Sequence, residues 1–227
     1  GGTVFLYPMM APNRKLESEE GAIKRIQRQY EITNLIDLRA EAEKGKFLEG
    51  TGSLVFDRKA EIVYACISER THPELVERVA KELGYKAVLF EAHDRDGKAV
   101  YHTNVMMSIG SEFVIWCKES IRNKKSAELV EQSLKDGGLD LIEISLDQMH
   151  NFAANCICLY GDDAYRLIIS ERAHASLSQD QIDRIEKYAH ILASRANVIE
   201  EYGGGSVRCM LTDIYLKRIP SNYPQFL

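Results

Sequence analysis

A chain of 227 residues with 45% hydrophobic and 28% charged residues can bury a substantial core and carries no signature of disorder. Its net charge of -5 speaks against a nucleic-acid partner, and the Lys124-Lys125 pair reads as a solvated helix face. No apolar run approaches the roughly 20 residues that cross a bilayer and no signal pattern opens the chain, which implies no membrane and a cytoplasmic location.

The run Gly1-Gly2-Thr3-Val4-Phe5-Leu6-Tyr7 enters a strand pattern at once, with no initiator Met. Beyond it, apolar spacing predicts amphipathic helices at 17–30, 72–83, 121–136 and 178–193. Each is followed by a β-type run, at 33–38, 86–91, 139–145 and 195–199. Two further apolar stretches precede the next helix: 52–56 and 61–67, then 104–109 and 112–118. The unit is therefore strand, strand, helix, strand.

The first strands of successive units are predicted to open at Glu49, His102, Asn151 and Gly204, at intervals of 53, 49 and 53 residues. A period this steady marks a repeat architecture whose units bury their apolar faces against one another. In a ring of such units equivalent strand ends converge, so Glu49, His102 and Cys209 are expected to meet. Residues 3–38 supply a unit without its first strand, and 204–218 supply only a first strand. The expectation is a single domain, 1–227, that lacks about one unit's worth of N-terminal sequence and presents open sheet edges.

The five cysteines are an odd number, so reduced thiols are expected. Cys156 and Cys158 alternate along a predicted strand without the gap of a zinc knuckle, which favours packing over metal binding. Cys209 follows Gly203-Gly204-Gly205-Ser206-Val207-Arg208, where the glycines admit positive φ and close approach of a ligand, and Arg208 stands ready to favour a thiolate or hold an anion. Read alone, Cys209 fits a buried core thiol, His102 a hydrogen-bonded strand end, and Glu49 a solvated turn. Their shared repeat position raises them together, because nucleophile, base and orienting carboxylate are what a covalent mechanism needs.

Four ordered segments carry a resemblance: Phe47 to Ser53, Ser68-Glu69-Arg70-Thr71, Tyr101 to Met106, and Gly203 to Met210. With Leu6 to Met9 and Ala11 to Arg14 they resemble the pentein (guanidine-modifying) superfamily, and look closest to the bacterial citrulline-utilisation hydrolases among arginine deiminase-like and amidinotransferase-like members. The resemblance implies an α/β propeller of ββαβ repeats around a pseudo-fivefold axis, and no metal or organic cofactor. It makes Cys209 the nucleophile, His102 the general acid/base and Glu49 the carboxylate that orients His102. Arg70 matches an arginine that binds the substrate carboxylate, and Arg208 the residue before the nucleophile. Relatives carry Asp where this chain has Asn104. An amide suits a neutral ureido group better than a cationic guanidinium, which favours citrulline as the small-molecule substrate. Amidino transfer, arginine or dimethylarginine hydrolysis and a silent amino-acid-binding module stay as rivals, and a homo-oligomer is left open.

Overall fold

The structure, a computed structural model, describes residues 2–18 and 20–220. The Gly1 opening and residue 19 of the first predicted helix lie outside the described residues. Four small sheets succeed one another along the chain. The first pairs β1 (Thr3–Leu6) with β2 (Asn34–Asp37) in parallel, with α1 (Glu20–Gln27) between them.

The next three repeat one pattern, in which an antiparallel hairpin is followed by a helix and a third strand parallel to the second. They are β3 (Val55–Asp57), β4 (Ile62–Cys66) and β5 (Lys86–Phe90). Then come β6 (Met107–Ile109), β7 (Phe113–Trp116) and β8 (Asp140–Glu143), and last β9 (Ile157–Gly161), β10 (Ala164–Ser170) and β11 (His190–Ser194). A parallel pair needs a helical crossover, which is why each unit places its helix before its last strand. β3 lies beside β6 and β6 beside β9, so the first strands of successive units are neighbours.

Local chemistry sets the crossovers. In α2 (Pro73–Leu83) proline occupies the first turn, and Leu75, Val76, Val79 and Ala80 form the buried stripe. Gly84 ends it in the left-handed region at φ 74°. In α3 (Lys124–Asp136) the Asn123 side chain accepts the Ser126 N–H, while Ala127, Val130 and Leu134 face inward. Lys124 and Lys125 are exposed at its start. The main core gathers β7, whose four residues are all buried, with α3 and the last unit. A second core packs Leu38, Leu48, Leu54 and Val63 under α2. Cys156 belongs to the main core and Cys158 packs against it.

Two predicted elements are corrected. The helix expected at 178–193 ends early: α4 (Leu146–His150) and α5 (Glu171–Ser176) precede α6 (Gln179–Glu186), and residues 190–194 are β11. Ile182, Ile185, Tyr188 and Ile191 fit a helical spacing, but pairing His190 to Ser194 with Arg166 to Ser170 satisfies a full row of backbone groups beside β10. The strand expected at 195–199 is accordingly the start of α7 (Asn197–Tyr202).

The second correction concerns the predicted strand starts at 49, 102, 151 and 204. The first three are turns that precede β3, β6 and β9, and the fourth precedes a short helix, with no strand after it among the described residues. Thr103–Val105 forms one turn of 3-10 helix before β6, and Val207–Met210 forms the short α8. Around Cys209 the backbone donors are already taken, Arg208 N–H by the Asn155 carbonyl and Cys209 N–H by that of Ser206. The repeat survives, but its reactive positions sit on turns.

Candidate active site

The turn after Glu49 is closed by Gly52 N–H donating to the Glu49 carbonyl at 3.2 Å and Leu54 N–H to that of Gly50 at 2.9 Å. A Cβ on Gly52 would stand 2.8 Å from His102 Nδ1, so glycine is what lets the imidazole lie against this turn. The turns are also clasped to each other, since Asn104 N–H donates to the Gly52 carbonyl at 3.1 Å and Thr103 Oγ1 to that of Ser53 at 2.6 Å.

Glu49 and His102 are both buried and meet at 2.8 Å, Oε2 to Nε2. The same Oε2 accepts from Arg14 Nη1 at 3.0 Å, and Oε1 accepts from Met10 N–H at 3.0 Å. Arg70 Nη1 stands 3.7 Å from Oε2. Burial alone pushes the Glu49 carboxyl up, but the bonds from His102 and Met10 and the charges of His102 and Arg14 outweigh it and hold the pKa below the ordinary carboxylate value. A carboxylate this saturated holds the imidazole in one orientation.

Cys209 is the one exposed cysteine of the five. Burial pushes the thiols of Cys66, Cys117 and Cys156 up to about 12 and that of Cys158 upward, leaving them inert. The Cys209 sulfur accepts from Asn155 Nδ2 at 3.2 Å and from Asn104 Nδ2 at 3.9 Å. Tyr101 ties the His102 segment to the glycine-rich turn, its hydroxyl donating to the Gly204 carbonyl at 3.0 Å.

One cavity of about 760 Å³ is lined by Cys209, His102, Glu49, Asn104, Arg70 and Arg208 together. The six residues singled out in the sequence thus share one site. Arg208 differs from the rest in that its guanidinium is engaged by the Leu211 carbonyl at 2.8 Å. Asn151, expected to open a unit, is instead bonded to Arg172 and to the Asp147 carbonyl.

Two contributors were missed. Arg14 belongs to a segment noted for its resemblance and reaches Glu49 only through the tertiary fold. Asn155 carried a signal that a stricter register would have found, since Ser53, Asn104, Asn155 and Ser206 follow one another at intervals of 51 residues. All four are buried. Among the described residues no group of three or more His, Cys, Asp or Glu is placed to hold a metal. Nor is any helix among them long and apolar enough to cross a membrane.

The turns that head two ββαβ units, with the glycine-rich turn after the last unit, bring a carboxylate, a histidine and a cysteine to one cavity and define a protein of the guanidine-modifying superfamily. The family model described as N,N dimethylarginine dimethylhydrolase, eukaryotic, matches residues 1–216, and the chain belongs to this family of hydrolases that act on a carbon–nitrogen bond. No curated protein sequence matches the chain.

Among solved structures the fold is similar to ArgZ, an arginine dihydrolase from the ornithine–ammonia cycle in cyanobacteria, with 16% identity and a TM-score of 0.70 over 97% of this chain and 31% of that one. The N-terminal domain of ArgZ bound to substrate aligns at 17% identity and a TM-score of 0.69, over 92% of this chain and 69% of that one. A dimethylarginine dimethylaminohydrolase adduct with 4-chloro-2-hydroxymethylpyridine aligns at 14% identity and a TM-score of 0.62, over 96% and 74%. The chain thus spans about a third of that ArgZ chain.

Proposed function

We propose that this chain is the catalytic domain of a cysteine hydrolase that cleaves a carbon–nitrogen bond in an arginine-derived amino acid, with its four sheets as consecutive blades of a propeller. The observation that carries the reading is the single exposed thiol, Cys209, in one cavity with the buried His102–Glu49 pair.

In this mechanism His102 takes the Cys209 proton, and the thiolate attacks the planar ureido or guanidino carbon. His102 returns the proton to the departing nitrogen as its bond to carbon breaks, leaving a carbon–sulfur adduct. Neutral His102 then accepts a proton from water, whose oxygen attacks that carbon, and the sulfur leaves as thiolate. Glu49 holds the imidazole throughout and stabilises its cationic form. Arg70 and Arg14, on the Glu49 wall of the cavity, supply guanidinium groups suited to the substrate's α-carboxylate.

For the substrate we favour citrulline, which gives ornithine, carbon dioxide and ammonia. Asn104 supports this, because it is buried beside the sulfur, offers an amide in place of a carboxylate, and has an Oδ1 without a hydrogen-bond partner. That oxygen is free to accept from a ureido N–H, while Nδ2 can donate. The second reading, hydrolysis of dimethylarginine or arginine, is favoured by the family match. A product assay on the full-length protein with citrulline, arginine and dimethylarginine decides between them. Ornithine from citrulline that disappears in Cys209→Ser supports the first. Citrulline release from dimethylarginine with no attack on citrulline overturns it in favour of the second, and indifference to all three would sink both.

A further inference from the structure

Outside the residues assigned above, one buried polar side chain touches the reactive sulfur. Asn155 is 2% exposed and lies on the turn after α4, 51 residues beyond Asn104. Its amide nitrogen has two hydrogens and two acceptors in reach, Cys209 Sγ at 3.2 Å and the Asn104 carbonyl at 3.4 Å. The carbonyl contact fixes which end of the amide faces the sulfur, because the reverse orientation would oppose two acceptors there and again at the sulfur. The Asn155 backbone carbonyl also accepts the Arg208 N–H at 3.3 Å, so the nucleophile's own turn is docked on this residue.

The chain bears a cost to present it. Phe152, three residues earlier, holds φ at 64°, a conformation that a side-chain-bearing residue adopts only when its surroundings impose it. Its carbonyl accepts the Asn155 N–H at 2.8 Å, while Ala153 and Ala154 are fully buried between them.

We infer that Asn155 is a thiolate-holding residue, whose amide N–H donates to Cys209 Sγ, favours the ionised sulfur and aims it into the cavity. The inference rests on Cys209 being the nucleophile. A neutral donor suits the task, because it stabilises the anion by a charge-assisted hydrogen bond yet does not neutralise it as a paired cation would. In the same position Asp would set a carboxylate against the thiolate.

The test is the pH dependence of Cys209 alkylation by iodoacetamide in full-length protein, followed by mass spectrometry of the labelled peptide, for wild type, Asn155→Ala and Asn155→Asp. The midpoint is expected to rise by about one pH unit in Asn155→Ala, which near neutral pH is about tenfold slower labelling, and further in the Asp variant. kcat should fall by a similar factor at pH 7, with KM little changed, and recover as the pH is raised. Superimposed profiles in all three proteins would overturn the inference. So would a rate lowered equally at every pH with an unmoved midpoint, since that is what a packing role alone produces.

Asp matches Asn in size, so a folding defect confined to Asn155→Ala, seen in thermal unfolding, leaves the Asp comparison decisive. The readout needs no turnover. If Cys209→Ser keeps activity, the nucleophile assignment fails, and that result is distinct from anything the alkylation profiles report.

Discussion

Glu49 is the residue on which the site's electrostatics turn. It receives His102, Arg14 and the Met10 N–H at once, and its pKa is held below the ordinary value despite burial. A carboxyl depressed in the folded state stabilises the protein at pH values above its unfolded pKa, and that contribution is lost as pH falls through the folded value. Thermal unfolding followed from pH 7 downward should therefore show a loss of stability beginning near the ordinary glutamate pKa and continuing below it. Glu49→Gln should remove that portion of the acid limb and lower the melting temperature at pH 7, because a neutral amide cannot answer both Arg14 and an imidazolium. An acid limb unchanged by the substitution would refute this account. At the same scale, burial already separates the cysteines. A chloroacetamidine reagent should modify Cys209 and spare Cys66, Cys117, Cys156 and Cys158 in native protein, as peptide mass spectrometry would report.

At the scale of the element, two glycines separate geometry from stability. Gly84 ends α2 at φ 74° with open space around it, so Gly84→Ala should cost about 1–2 kcal/mol of unfolding free energy and leave the kinetics alone. Gly52→Ala should do the reverse. The added methyl would press on His102 Nδ1 from 2.8 Å, and a displaced imidazole should lower kcat by about a hundredfold or more. Equal kinetic effects from the two substitutions would contradict the assignment.

The same elements show what the sequence disclosed. The units of β3 to β5 and β6 to β8 were readable because hairpin, crossover helix and final strand each carry their own periodicity and caps, as in Pro73 and Gly84 around α2. The boundary between α6 and β11 was not, because Ile182, Ile185, Tyr188 and Ile191 satisfy a helical period and only pairing with β10 makes a strand of the second half. Cys209, His102 and Glu49 stood out by residue type and by register. Arg14 and Asn155 act through contacts across 35 and 54 residues, which no local pattern encodes. For Asn155 the 51-residue interval was present, but the looser spacing of the unit starts pointed to Asn151 instead.

For the molecule as a whole, the sign of charge changes between surface and site. The chain carries a net charge of -5, while its main cavity sets Arg14, Arg70 and Arg208 against Glu49 and Glu17. An anionic exterior with a cationic recess suits the carboxylate of the amino-acid substrate proposed above, and the focusing is strongest where low-dielectric walls surround the charges. Arg208 spends its guanidinium on the Leu211 carbonyl, and Arg14 divides its own between Glu17 and Glu49. Arg70 keeps more of its capacity. It lies 3.7 Å from Glu49 and 5.2 Å from the Tyr101 ring, with its Nε buried and without a hydrogen-bond partner. A substrate carboxylate is the group that would satisfy it.

A charge-assisted contact of this kind contributes about 1.5–3 kcal/mol, so Arg70→Ala should raise KM for citrulline by roughly ten- to a hundredfold with a smaller effect on kcat. The decarboxylated analogue, N-carbamoylputrescine, should be a poor substrate for wild type and should lose almost nothing further in Arg70→Ala, because the contact it lacks is the one removed. A matched loss on both compounds would instead mean that Arg70 acts through Glu49, as a second cation steadying the carboxylate that orients His102.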